Sequence, residues 1–231
     1  MSLSSLSAQY NAPHIGIIML NTEFARPVGD IGNVASYQYP AQIFKLRKAN
    51  VANVVCEELA PQLIEEVIEG ALSLKAAGAN IITTSCGFLA KVQSVVQQSI
   101  DLPFIASSLS LLPFLRQVFG PLCTIGVVTF DSKVLNEAHF NGHFDSNLKI
   151  AGIENGQELH QVIKEGRTEL DLDLAQRDVI QAVEQLMQYQ PRCLLLECTN
   201  LSPYKAALRE HFQLPVFDLV DAIHWLAAAR G

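Results

Sequence analysis

An internal duplication organises this 231-residue chain. Ile81-Ile82-Thr83-Thr84-Ser85-Cys86-Gly87 closes an apolar run with a cysteine and small polar residues, and Leu194-Leu195-Leu196-Glu197-Cys198-Thr199-Asn200 does nearly the same. The two cysteines are 112 positions apart. At that offset Val67 answers Val179, Ile68 answers Ile180, Leu74 answers Leu186, and Pro103 answers Pro215, while residues 14–18 answer residues 124–128 at an offset of 110. Two copies make a pair of lobes rather than a solenoid. If the lobes face each other, so do the thiols, and opposed thiols across a cleft suggest proton-transfer chemistry.

Within each copy, apolar runs alternate with helical stripes. Residues 14–20 read as a fully buried strand, residues 52–59 as a second, residues 79–84 as a third and residues 103–106 as a fourth. Pro61 stands at a first helical position, and Leu63, Val67, Ile68, Ala71, Leu72 and Lys75 form a stripe that Gly78 ends. Cys86 opens a helix running to about Ser99, residues 109–119 form another, and residues 222–230 close the chain as a helix. This β-α-β alternation implies an α/β fold of parallel strands covered by helices. Residues 21–39, with Arg26-Pro27-Val28-Gly29-Asp30-Ile31-Gly32-Asn33, are too punctuated to be regular, and a loop of that length in a compact domain is more often functional than idle. Asp171-Leu172-Asp173-Leu174 reads as a solvated helix start, and Lys45-Leu46-Arg47-Lys48 as a solvated face.

Apolar residues make up 49% of the chain and charged ones 17%, as in a compact globular protein. A net charge of -7 argues against nucleic acid or an anionic membrane as the main partner. No apolar stretch reaches the ~18 residues of a membrane span, and residues 1–13 lack the basic start and apolar centre of a leader, so the expectation is a soluble, unexported protein. Five irregularly spaced cysteines read as free thiols in a reducing cytoplasm. Neither a CxxC pair nor a CxxxH spacing supports zinc, and the glycines of the Pro27–Gly32 run do not have the spacing of a nucleotide loop. None of the six histidines adjoins Cys86 or Cys198 in sequence.

Ligands of open α/β sheets bind at the carboxyl ends of the strands. Cys86 and Cys198 each follow a strand and precede a helix, where backbone N–H groups favour a thiolate and can also hold a substrate carboxylate. Cys56, Cys123 and Cys193 lack that setting and read as small buried hydrophobes.

The paired cysteines in their repeat context resemble the aspartate/glutamate racemase superfamily, which includes hydantoin racemases, maleate isomerases and arylmalonate decarboxylases. The resemblance runs from Ile15 to about Asp218. It implies two pseudo-symmetric flavodoxin-like lobes, each with a four-stranded, mostly parallel sheet, and an active site between them. Residues 1–108 plus 217–231 would form the first lobe and residues 109–216 the second. It also implies cofactor-independent catalysis, with Cys86 and Cys198 as acid and base on opposite faces of a carbanion. The substrate expected is a small carboxylated molecule, and the assembly is left open between monomer and homodimer.

Several positions depart from the family pattern. Amino-acid racemases carry Cys-Asn-Thr at the first site, where this chain has Cys86-Gly87-Phe88. Glutamate racemases carry Cys-Thr-His at the second, where Asn200 replaces the histidine, and Asp-Ser after the first strand, where Asn21-Thr22 stands. Thr199 matches the family's carboxylate-binding position, and Ser85 and Thr84 are either helix caps or further ligands. Phe88 lines a pocket or belongs to the core, and Arg26 is either solvated or a bidentate carboxylate partner. The candidate site is therefore Cys86 and Cys198 with Thr199, Asn200, Ser85, Gly87, Phe88, Asn21 and Arg26. The reaction expected first is racemisation or epimerisation. Decarboxylation, cis-trans isomerisation and non-catalytic binding on the same fold are the alternatives.

Overall fold

A computed structural model describes residues 12–230, so most of the serine-rich stretch at residues 1–13 lies outside it. The chain forms two four-stranded, all-parallel sheets. The first has β1 (Ile15–Met19), β2 (Ala41–Lys45), β3 (Ile81–Thr84) and β4 (Phe104–Ile105) in the order β2-β1-β3-β4. Helices α1 (Val51–Val54), α2 (Pro61–Ala76), α3 (Gln93–Ser99) and α4 (Leu112–Phe119) run between and after these strands. The second sheet has β5 (Ile125–Thr129), β6 (Leu148–Gly152), β7 (Cys193–Leu196) and β8 (Val216–Phe217) in the matching order β6-β5-β7-β8. Its helices are α5 (Leu159–Glu165), α6 (Leu172–Glu184), α7 (Lys205–Phe212) and the closing α8 (Leu219–Ala228).

The duplication is thus a duplication of topology. Central strands β1 and β5 are buried almost throughout, as parallel strands covered on both faces must be. Each has glycine at its second position, for one reason. A Cβ on Gly16 would lie 3.0–3.1 Å from Ala79 and Leu74, and one on Gly126 would lie 2.8 Å from Leu194 and 3.0 Å from Leu186, so neighbouring side chains pack directly onto backbone.

Two sequence expectations are corrected. Residues 52–59 do not form a strand: residues 51–54 are helical, because Asn50 and Asn53 form a reciprocal capping box that overrides the β-branched valines. The second strand is instead β2, an edge strand only partly buried, whose alternation is correspondingly weak. Cys86 does not open an α-helix directly either. A 3-10 segment, Gly87–Val92, comes first, and Thr199–Tyr204 repeats it after Cys198. Asp171 caps α6, its carboxylate accepting from Leu174 N.

One apolar core runs through both sheets. A second cluster covers the other face of the first sheet, where Leu219, Val220, Ile223 and Ala227 of α8 pack with Ile15, Ile17, Ile81 and Ile105. The sheets meet at the carboxyl ends of β3 and β7. There Thr199 Oγ1 donates to the Ser85 carbonyl (2.7 Å) and Ser108 Oγ donates to the Leu196 carbonyl (2.7 Å). Among the described residues no helix is long and apolar enough to cross a membrane.

Candidate functional site

Both cysteines stand just past a central strand, and the 3-10 segments that follow turn N–H groups back onto their sulfurs. Phe88 N and Leu89 N serve Cys86, and Asn200 N serves Cys198. The two thiols line one cavity with Leu20, Phe24, Arg26, Val51, Val55, Ser85, Gly87, Phe88, Phe130, Ile163, Thr199 and Asn200. The open space is about 20 Å³, room for roughly one water. Phe24, Val51 and Ile163 also line a depression on the outer surface with Asn21, so these three side chains form the wall between cavity and solvent.

Of the candidate residues, the structure brings Cys86, Cys198, Ser85, Gly87, Phe88, Arg26, Thr199 and Asn200 to this cavity. Asn21 is not among them. It is exposed, its amide donates to the Arg47 carbonyl, and it lies in the outer depression. The Thr199 hydroxyl proton is committed to Ser85, while the Ser85 hydroxyl accepts from Leu20 N (3.2 Å). Thr84 Oγ1 donates to the Ala106 carbonyl (2.7 Å) and stays out of the cavity.

The loop after β1 contributes through Asp30, which is 1% exposed. Its Oδ1 accepts from Arg26 (2.8 Å) and Gly32 N (2.7 Å), and its Oδ2 accepts from Asn200 Nδ2 (2.7 Å). Asn200 Oδ1 in turn accepts from the Cys198 thiol at 3.7 Å. A chain from Arg26 through Asp30 and Asn200 to Cys198 therefore crosses between the lobes. Arg26 also donates to Thr22 (3.1 Å) and lies over the Phe24 ring at 4.1 Å.

Sequence reasoning missed Glu197. It is fully buried, with Oε2 accepting from Thr129 Oγ1 at 2.6 Å. Burial pushes its carboxyl up to about 7, against the pull of the Thr129 hydroxyl. The signal was present in the sequence: a carboxylate directly after Leu194-Leu195-Leu196 of a buried strand has no access to water. Burial first, and then the Glu197 charge, push the Cys86 thiol up to about 12, opposed by the Phe88 N–H and the Arg26 charge. The same two causes hold Cys198 well above the ordinary thiol range. In both cysteines the balance of burial and the Glu197 charge favours the thiol over the thiolate. Phe24 and Phe130, also missed, join Phe88 in giving the cavity three aromatic side chains, with Phe130 stacked on His160 at 4.4 Å and Phe88 edge-on to His139.

Among the described residues no group of three or more His, Cys, Asp or Glu side chains is arranged to hold a metal ion. No family model matches the chain. It is 24% identical over 223 residues to a dimethylsulfoniopropionate lyase of Durusdinium sp. clade D, covering 89% of this chain and 71% of that one. It is 26% identical over 233 residues to dimethylsulfoniopropionate lyase 7 of Emiliania huxleyi, covering 94% and 67%. Among solved structures it superposes on unliganded arylmalonate decarboxylase with a TM-score of 0.58 at 18% identity, covering 95% and 93%. Glutamate racemase from Francisella tularensis in complex with D-glutamate gives 0.59 at 14% identity, covering 95% and 81%. The chain has the two-lobed fold of the aspartate/glutamate racemase superfamily.

Proposed function

We propose that the protein is a cofactor-independent enzyme that removes the proton α to the carboxylate of a small zwitterion, and that it is a lyase acting on a sulfonium carboxylate of the dimethylsulfoniopropionate type. The observation that carries the reading is the pair of thiols facing one narrow cavity lined by Phe24, Phe88 and Phe130. A cation entering beside a thiol favours its thiolate form, and aromatic faces bind a sulfonium without hydrogen bonds. The names of the sequence relatives support the same substrate class.

Cys86 is the base in this reading, because the Arg26 charge and two N–H groups favour its thiolate, whereas the Cys198 thiol donates to Asn200 and is opposed by Asp30. Arg26, whose guanidinium has donors beyond those given to Asp30 and Thr22, holds the substrate carboxylate. The Cys86 thiolate takes a Cα proton, the C–H electrons form the Cα=Cβ bond, and the Cβ–S bond breaks with its pair leaving on sulfur. Dimethyl sulfide and acrylate result, and Cys86 is left as the thiol. A second reading, racemisation of a carboxylated stereocentre, is favoured by the presence of both thiols, which supply an acid opposite the base.

Headspace analysis of dimethyl sulfide, run beside NMR of α-hydrogen exchange in D2O on amino acids, hydantoins and substituted malonates, separates the two. The lyase reading expects dimethyl sulfide and acrylate in equal amounts. It also expects a loss of ~10²–10⁴-fold in Cys86→Ser, with a smaller loss in Cys198→Ser. Exchange on an amino acid without turnover of any sulfonium carboxylate would establish the racemase instead.

A further inference from the structure

Glu197 has no part in that scheme, yet its carboxyl lies between the two thiol-bearing loops. It directly precedes Cys198, and its Oε1 is buried with no hydrogen-bond partner. That oxygen lies against the residue after Cys86: a Cβ on Gly87 would be 2.2 Å from it. One carboxyl of the second lobe is therefore wedged beneath the first lobe's thiol loop. Its charge acts on both Cys86 and Cys198. The other charged groups around the thiols are Arg26 and Asp30, which are paired with each other at 2.8 Å.

A narrow site with room for about one water holds little solvent to screen two like charges. We propose that Glu197 is a positioning residue that holds the site to one negative charge: the carboxylate carries it at rest, and a thiolate forms only when Glu197 carries the proton. Readying the base then breaks the Cys86 S–H bond and forms an O–H bond on Glu197, leaving the net charge unchanged. The proton later taken from substrate restores the Cys86 thiol, and the proton on Glu197 returns to solvent. The titration belongs to the Glu197–thiol set as a whole. Gly87 is glycine because the carboxyl occupies the place of its side chain.

The inference rests on the thiols being the reactive groups, but thiolate is measured without substrate, so its failure is distinct from failure of the lyase reading. The ultraviolet absorbance of thiolate is titrated against pH in the wild type and in Glu197→Gln. The contribution of Cys86 and Cys198 is taken as the difference from the same chain carrying Cys86→Ser and Cys198→Ser. Removing the competing charge is expected to move their limb down by about one pH unit or more, ~tenfold more thiolate at a given pH. A limb that stays in place or moves up overturns the proposal. Infrared spectra of the unmodified protein give a measurement independent of any variant. A buried carboxylic acid band should bleach near pH 7 with no thiolate appearing, and a thiolate already present once that band has bleached would refute the proposal.

Discussion

Replacing Gly87 by alanine adds one methyl where Glu197 of the second lobe packs against the loop after Cys86. The added Cβ would lie 2.2 Å from Glu197 Oε1 and 2.3 Å from the Glu197 carbonyl oxygen, well inside van der Waals contact. The carboxyl can swing away, but the carbonyl cannot. Glu197 N is bonded to the Val128 carbonyl at 2.8 Å, so the chain at this point is fixed to the second sheet. Overpacking of a well-filled interior costs ~1–3 kcal/mol. The involvement of backbone puts Gly87→Ala at the upper end, about 3 kcal/mol. For a chain of this length that corresponds to a fall in Tm of about 6–12 °C. Urea denaturation gives the free energy and a thermal melt the second measure. In a Glu197→Ala background only the side-chain part of the clash is relieved, so the double-mutant cycle should show a coupling of ~0.5–3 kcal/mol. A Gly87→Ala protein within ~0.5 kcal/mol of wild type, the range of ordinary surface changes, would refute the close approach.

Stability should also depend on pH through Glu197. Its folded-state value of about 7 lies above the ordinary 4.5, so the native protein holds a proton that the unfolded chain releases. The resulting stability is fully present below pH 4.5 and lost as pH rises to about 7. At 1.36 kcal/mol per pH unit this amounts to about 3 kcal/mol. Denaturation at several pH values should show that fall in the wild type but not in Glu197→Gln. Asp30→Asn leaves Arg26 as an unpaired, largely buried charge, and equilibrium unfolding should register a loss of ~3–5 kcal/mol. Ile163→Ala shortens the wall between cavity and outer depression, so iodoacetamide should alkylate Cys86 faster than in the wild type, at a stability cost of ~2–5 kcal/mol.

Much of the candidate site was legible because the duplication carries it. Equal spacing from β3 to Cys86 and from β7 to Cys198 put both thiols at the carboxyl edges of central strands, and the flanking Ser85, Gly87, Phe88, Thr199 and Asn200 followed. Other features were hidden by their physics. β2 and β6 are edge strands with partly exposed residues, so neither presents a continuous apolar run. Asn21, expected in the site, turns its side chain outward to Arg47, and Asp30 from the same loop reaches Asn200 instead. That replacement depends on how a nineteen-residue loop packs on itself, through Ser36 Oγ donating to the Asp30 carbonyl and Tyr37 donating to the Ile31 carbonyl, and spacing alone does not encode it. Phe24 and Phe130 belong to the core and line the cavity only because the lobes are set against each other.

Removal by Cys86 of a proton from the carbon next to the carboxylate is the step on which the proposed lyase reaction depends. Its most direct test compares turnover of dimethylsulfoniopropionate with that of the same compound carrying deuterium at the α-carbon. Slower release of dimethyl sulfide is expected from the deuterated compound, with release from either lowered ~10²–10⁴-fold in Cys86→Ser. Equal rates for the two compounds in single-turnover measurements, or activity retained without the Cys86 thiol, would contradict it.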